Sequence, residues 1–405
     1  MKNKLFWSFY DMGNSAHALI ITTIAFPLYF KQYLFSNSTN VESIWAIITA
    51  AILAISAFLA PWLTARAYSQ QCRAKYLLIC SLCCIIPTFL LGISGINRIA
   101  ILLFYIISCI GYYVSLPLYN SFLPNIEQNT YHMQVVSSNA WGLGYLGGII
   151  VAIVCFSLGL FNYSPSEESN LFSRNFFVAA VFLTIFCLPL LTSTFKIEKS
   201  LYSNSSKSSS FISVFESIKQ RPNILKLLLI YWLIGEVATV GIYFFSMYMI
   251  EFGNLDSKDI LFASLVIQCI GIFSTMAAGR FAEKIGVKRA IFIIVSVWIL
   301  VPILLFAISK GLNYWIPVTV IGLIVGSYHS IIRAEIAKKV QNIDDSGDKG
   351  SIWGFFDTTG RFSQILCPIL VAILLNFMPL NYAILCTIVF PICALILLNR
   401  YNENE

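Results

Sequence analysis

Apolar residues run along the chain in long blocks separated by short polar punctuation. A bilayer-spanning helix needs about 20 mostly apolar residues. Twelve blocks meet that length, at roughly 6–34, 44–65, 76–96, 99–122, 138–160, 175–195, 224–250, 259–279, 289–309, 313–335, 351–375 and 380–399. The longest polar stretch, about 196–223, lies between the sixth and seventh. Its SLYSNSSKSSS (200–210) holds seven serines in eleven residues, which is linker chemistry. FISVFESIKQ (211–220) then sets Phe211, Val214, Phe215 and Ile218 on one helical face, the pattern of a short interfacial helix. The expected architecture is an all-α polytopic membrane protein: a six-helix bundle over 1–195, a cytoplasmic linker over 196–223 and a second six-helix bundle over 224–405.

Composition agrees with the pattern. Of 405 residues, 58% are hydrophobic and 11% charged, and the mean hydropathy is +0.79. A soluble chain is about 25% charged. Charge this sparse cannot coat a water-facing surface, which excludes a soluble enzyme and an intrinsically disordered chain. The formal charge of +7 does not point to nucleic acid, because the bases cluster in the loops. With the N-terminus inside, 20 Lys and Arg fall in inner loops, 5 in outer loops, and Arg361 within a block. That bias predicts both termini in the cytoplasm. The first block is not a cleaved signal, being too long and carrying Asp11 and His17. A bacterial inner membrane is the expected location. Ten of eleven cysteines sit in apolar blocks and only Cys72 in a loop, and none has metal-ligand spacing with histidine, so no metal or cofactor is expected.

The chain also repeats itself. Trp141-Gly142 in the fifth block recurs as Trp353-Gly354 in the eleventh, and the same offset of 212 pairs Gly148 with Gly360. Two homologous halves follow, related by an axis along the membrane normal, as in major facilitator transporters. The loop after the eighth block, GRFAEKIGVKR (279–289), fits the major facilitator loop signature. There Gly279 allows close helix approach, Glu283 can cap or pair across the bundle interface, Lys284 and Gly286 complete the signature, and Lys288 and Arg289 hold the loop inside. Its first-half partner, PWLTARAYSQQCRAK (61–75), is eroded at the acidic position. The opening WSFYDMGNSAHALIITTIAFPLYF (7–30), with YNSFLPNI (119–126), SSNAWGLGYLGG (137–148) and GFFDTTGRFS (354–363), resembles the "unknown major facilitator" branch, which includes the autophagy-related vacuolar amino-acid effluxers of fungi. The resemblance covers essentially the whole chain. It implies the major facilitator fold with 12 transmembrane helices in two pseudo-symmetric bundles, and a transporter. Two departures stand out: His17 replaces the usual aromatic, and Gly235 stands where an aspartate is usual, with Glu236 one position along.

An ionisable side chain near the bilayer centre costs about 2.5–3.5 kcal/mol and needs a reason. Asp11, Asn14, Ser15 and Ala18 form one stripe on the first helix, and Asn14 and His17 are i, i+3 neighbours. Asp11 reads either as a proton or cation site or as a structural acid paired with an interfacial base, with Asn14 and His17 facing substrate. Glu236 has no charged neighbour within four positions, and burial disfavours its charged form. It reads as a protonation site or as an interhelical hydrogen bond. Asp357 and Arg361, i and i+4, can neutralise one another or open and close as a pair. His329 looks inward, and Arg333 is expected to snorkel to the membrane edge. Gly144 with Gly148, and Gly322 with Gly326, have the small-xxx-small spacing of close helix packing.

No Gly-Lys-Ser/Thr phosphate loop is present, so a gradient must supply the energy. The expected function is a monomeric secondary transporter that moves a small polar metabolite, an amino acid or similar, and is coupled to protons or another ion. It works by alternating access, and Asp11, Asn14, His17, Glu236, His329, Asp357 and Arg361 line its pathway. A carrier of a larger amphipathic compound, such as a drug or siderophore, and a non-transporting receptor or scaffold are the alternatives. A membrane-embedded enzyme is not expected, because the three histidines (His17, His132, His329) lie far apart in sequence.

Overall fold

The computed structural model describes residues 2–35, 41–93, 97–159, 168–199, 218–243, 245–253, 255, 257–363 and 366–402. Every regular element among them is helical. The serine-rich linker, with Phe211, Val214 and Phe215, lies outside the described residues; Ile218 is helical and buried.

The first apolar block is not a plain α-helix. It runs as α1 (Lys2–Ala16), a π-helix (His17–Ala25), α2 (Phe26–Tyr29) and a second π-helix (Phe30–Leu34). Local chemistry favours the wider turn. The Thr22 and Thr23 hydroxyls both donate to Ala18 O, at 2.6 and 2.7 Å, and compete for a carbonyl of the regular ladder. Pro27, at the start of α2, withholds an N–H that α-helical spacing would need.

Next come α3 (Val41–Ser69), α4 (Arg73–Leu91), α5 (Arg98–Asn120), the single turn α6 (Leu123–Ile126), α7 (Thr130–Ser157) and α8 (Glu168–Lys199). Then follow α9 (Pro222–Tyr243), α10 (Phe245–Glu251), α11 (Ser257–Ile285), α12 (Val287–Ile308), α13 (Trp315–Ile324) and α14 (Ser327–Gln341). Last are α15 (Ser346–Phe362), α16 (Leu366–Leu374), α17 (Leu380–Cys386) and α18 (Val389–Asn399). Among the described residues, ten stretches are long and apolar enough to span a membrane, with α13–α14 and α17–α18 each counting as one. The apolar blocks missing from those ten are the first, broken by π turns, and the eleventh, whose described residues form α15 and α16. Large apolar side chains such as Phe273 (75% exposed) and Ile99 (70%) face outward, as lipid-facing surface does.

Two compact units share these helices. The first holds Met1–Ile126, Leu143–Val214 and Asp344–Gly354; the second holds Glu127–Gly142, Phe215–Ile343 and Phe355–Glu405. In the first, α4 packs on α5 and α1 on α8. Gly111 makes the α4–α5 approach possible, since a Cβ there would lie 2.6 Å from Cys84 N. In the second, α11 packs on α13 and α9 on α18. The repeated Trp-Gly pairs end matching pieces. Gly142 lies against Ile272 and Met276 of α11 in the second unit, and Gly354 lies against Pro61 of α3 in the first.

Candidate functional site

In the first unit, α1 carries a buried polar stripe. Trp7 Nε1 donates to Tyr119 O and the Tyr119 hydroxyl donates back to Trp7 O, while Tyr10 stacks on Tyr119 and its hydroxyl meets Ser81 Oγ at 2.8 Å. Asp11 and Asn14 are more than nine-tenths buried. Asp11 interacts electrostatically with the Cys187 thiol of α8. His17 opens the π-helix, fully buried, with its ring stacked on Tyr112 and Nε2 2.7 Å from Ser108 Oγ.

The Ser108 hydroxyl also reaches Thr88 Oγ1 and Cys84 O. His17 Nδ1 has no hydrogen-bond partner among the described residues, and Asn14 Nδ2, one turn earlier, likewise lacks one.

In the second unit, an aromatic and basic cluster surrounds His329. Its ring stacks on Trp141 at 4.7 Å, and its Nδ1 lies 2.8 Å from the Tyr231 hydroxyl. Tyr231 is within electrostatic reach of Asp357, Arg361 and Arg333. Arg333 does not snorkel. It is 1% exposed, donates from Nε to Ser137 Oγ and from Nη2 to Ser137 O, and lies over the Trp141 ring. The snorkelling expectation fails because these partners sit on α7, far away in sequence.

Glu236 is fully buried on α9. Its Oε2 accepts from Cys367 N, near the start of α16, at 2.6 Å. Oε1 accepts no hydrogen bond among the described residues, and no basic side chain pairs with the group. Trp232, one turn earlier, lies close enough to interact electrostatically but without hydrogen-bond alignment. An apolar groove of about 530 Å³ opens beside it, lined by Trp232, Leu228, Phe355, Phe362, Leu366 and Lys219 among others.

The remaining predicted residues fall on packing and loop positions. Gly279 lies against Ser138, Glu283 meets His132 Nδ1 at 3.1 Å, and Lys284 and Arg289 are exposed. Gly286 has φ +92°, a conformation that favours glycine. Lys288 Nζ donates to Tyr401 O at 2.7 Å. Gly144 lies against Ser15 and Gly322 against Ile270; Gly148 is buried, and Gly326 precedes α14. Among the described residues, no group of His, Cys, Asp and Glu could hold a metal ion.

Several polar residues escaped sequence reasoning. Tyr231, Ser108 and Tyr112 read as ordinary members of apolar blocks, and Arg73 as one more inner-loop base. Arg73 is 2% exposed. Its guanidinium donates to Tyr68 Oη, Ser121 O and Asn125 Oδ1. Glu198 accepts from Arg73 N and Ala74 N and pairs with Arg73 Nε at 3.7 Å.

Comparison with known proteins extends these observations. Residues 30–404 match the family described as vacuole effluxer Atg22 like. An uncharacterised MFS-type transporter of Bacillus subtilis (strain 168), YxiO, is 24% identical over 384 residues, covering 91% of this chain and 87% of that protein. Among solved structures, the proton:xylose symporter XylE bound to 6-bromo-6-deoxy-D-glucose superposes with a TM-score of 0.75 at 11% identity, over 99% of this chain and 95% of that one. A bacterial homologue of the iron transporter ferroportin, in its outward-facing state, gives 0.75 at 12% identity over 99% of both chains. Polytopic helices and these matches converge: the chain belongs to the Atg22-like vacuole effluxer family and is a multi-pass membrane transporter of the major facilitator superfamily, whose members are not enzymes.

Proposed function

We propose that this transporter moves a small polar metabolite, an amino acid or similar, and couples that movement to protons. The observation that carries the reading is Glu236. A carboxylate removed from water is costly unless it is paired and fully hydrogen-bonded. Glu236 has one engaged oxygen and no cation, so it is suited to gain and lose a proton during the cycle. Asn14 Nδ2 and His17 Nδ1, which lack hydrogen-bond partners among the described residues, are suited to a polar substrate. Asp11 in the first unit and His329, Asp357 and Arg361 in the second complete the proposed pathway. The residues of 279–289 serve the gate, and Gly144, Gly148, Gly322 and Gly326 serve helix packing. In this reading the bundles are 1–195 and 224–405, both termini are cytoplasmic, the protein works as a monomer, and its membrane is a bacterial inner one.

The test uses purified protein in proteoliposomes, an imposed pH gradient, and a panel of radiolabelled amino acids and related metabolites. The expected result is gradient-driven flux of at least one compound, abolished by Glu236→Gln. Flux that ignores both the gradient and the substitution overturns the proton coupling. A panel that stays still while an amphipathic drug or siderophore moves overturns the substrate class.

A further inference from the structure

Glu236 does more than sit in a membrane helix: it touches the start of another. The described residues of α15 end at Phe362, with Ser363 in a turn, and those of α16 begin at Leu366. The first N–H groups of any helix have no partner within it. In α16 the sequence Leu366-Cys367-Pro368 handles them economically. Pro368 has no N–H to satisfy, and Cys367 N donates to Glu236 Oε2 at 2.6 Å. Gly235, beside Glu236, lets the approach happen, because any Cβ there would collide with Ser363.

From this geometry we propose that Glu236 is a proton-operated cap of α16. Ionised, it holds the first turn of α16 by a charge-assisted hydrogen bond and by attraction to the positive end of the helix. A proton taken from water onto Oε1, the oxygen without a hydrogen bond, leaves Oε2 as a neutral acceptor. The helix-end attraction vanishes and the remaining bond weakens, so the first turn of α16 loosens. Loss of the proton to water restores the cap. Of the elements packed on α9, α16 brings the Cys367 thiol to Glu236. The charged groups of the others act elsewhere: Asp357 and Arg361 of α15 on Tyr231, and Glu251 of α10 on Tyr248. Among the described residues, α10, α12, α14, α15 and α18 bring no charged side chain into interaction with Glu236. Protonation is therefore answered by the α16 backbone rather than by a counter-ion. This deepens the proton-coupled reading above and rests on it for its role in transport, although the cap itself can be tested apart from flux.

The experiment is hydrogen exchange read by mass spectrometry on the full chain in lipid nanodiscs, following peptides that contain Leu366, Cys367 and Ile369. Rates are corrected for the intrinsic pH dependence of amide exchange. Protection of this turn in the wild type should fall by about tenfold as pH is lowered through the titration of Glu236, the gap between a charge-assisted and a neutral hydrogen bond. Glu236→Gln keeps an acceptor but cannot titrate, so its protection should be independent of pH. A wild type without pH dependence, or a Gln variant with the same dependence, overturns the cap. If the wild type responds and the Gln variant does not, the cap stands even where proteoliposome flux ignores the pH gradient, and then only the coupled-transport reading falls. Flux driven by the gradient with an unresponsive α16 leaves that reading standing and removes the cap.

Discussion

Two carboxylates in this protein cap helices, and they do it differently. Glu198, in the first unit, spends both oxygens on the start of α4, accepting from Arg73 N and Ala74 N, and the Arg73 guanidinium lies 3.7 Å away. Glu236, in the second unit, spends one oxygen on the start of α16 and has no cation. The motif is the same and the charge balance is opposite. A cation and two backbone donors favour the charged form of Glu198 against the cost of burial, whereas Glu236 has one backbone donor and no cation to offset that cost. One cap is a fastening, the other a switch.

The largest expected effect comes from breaking the fastened cap. Arg73→Ala removes the donor to Asn125 Oδ1 and leaves the Glu198 charge in a buried site without its cation, and should cost about 3–5 kcal/mol, seen as a large fall in the apparent Tm of the purified protein. Glu236→Gln should change that Tm far less, because the amide oxygen still caps Cys367 N. Equal losses for the two variants would erase the contrast.

A smaller effect sharpens the polar cluster of the second unit. Tyr231→Phe removes the hydroxyl that meets His329 Nδ1. It should cost about 1 kcal/mol of stability and, if His329 serves the pathway, reduce flux by about tenfold. Unchanged flux would mark the Tyr231–His329 contact as structural only.

The smallest effect lies at Lys349, at the start of α15. Burial, with the Arg73 guanidinium beside it, holds the Lys349 ammonium below its ordinary value. A lysine depressed in the folded state weakens folding while charged, so stability rises as pH climbs through its folded titration toward that of the unfolded chain. Lys349→Met should raise the apparent Tm slightly near neutral pH and lose the wild type's alkaline gain. A Met variant that keeps the gain would assign it to another group.

The architecture was largely legible from the chain. Among the described residues, ten of the twelve apolar blocks are span-length helices, because block length is a local property. The other two blocks show what hydropathy does not encode. Thr22, Thr23 and Pro27 rewire backbone hydrogen bonds in the first without making it less apolar, and in the eleventh α15 is followed by a turn at Ser363. At the site, Asp11, Asn14, His17 and Glu236 were legible because charge and amide groups are rare in apolar blocks. Tyr231, Ser108 and Tyr112 were not, since tyrosine and serine are common there and only their partners single them out. Arg333 and Arg73 were misread for a related reason. A base near a membrane edge looks like topology until Ser137 and Trp141, or Ser121 and Asn125, are brought to it by other helices.

The contrast between the two caps has one direct test, a carboxyl difference infrared titration of the wild type, Glu198→Gln and Glu236→Gln in lipid. The other carboxyl groups of the chain contribute alike to all three spectra, so the predicted result is a protonated-carboxyl component that grows as pH falls in the wild type and in Glu198→Gln and is lost from Glu236→Gln. Wild-type and Glu236→Gln titrations that superimpose, or the same component lost from Glu198→Gln instead, would contradict the account.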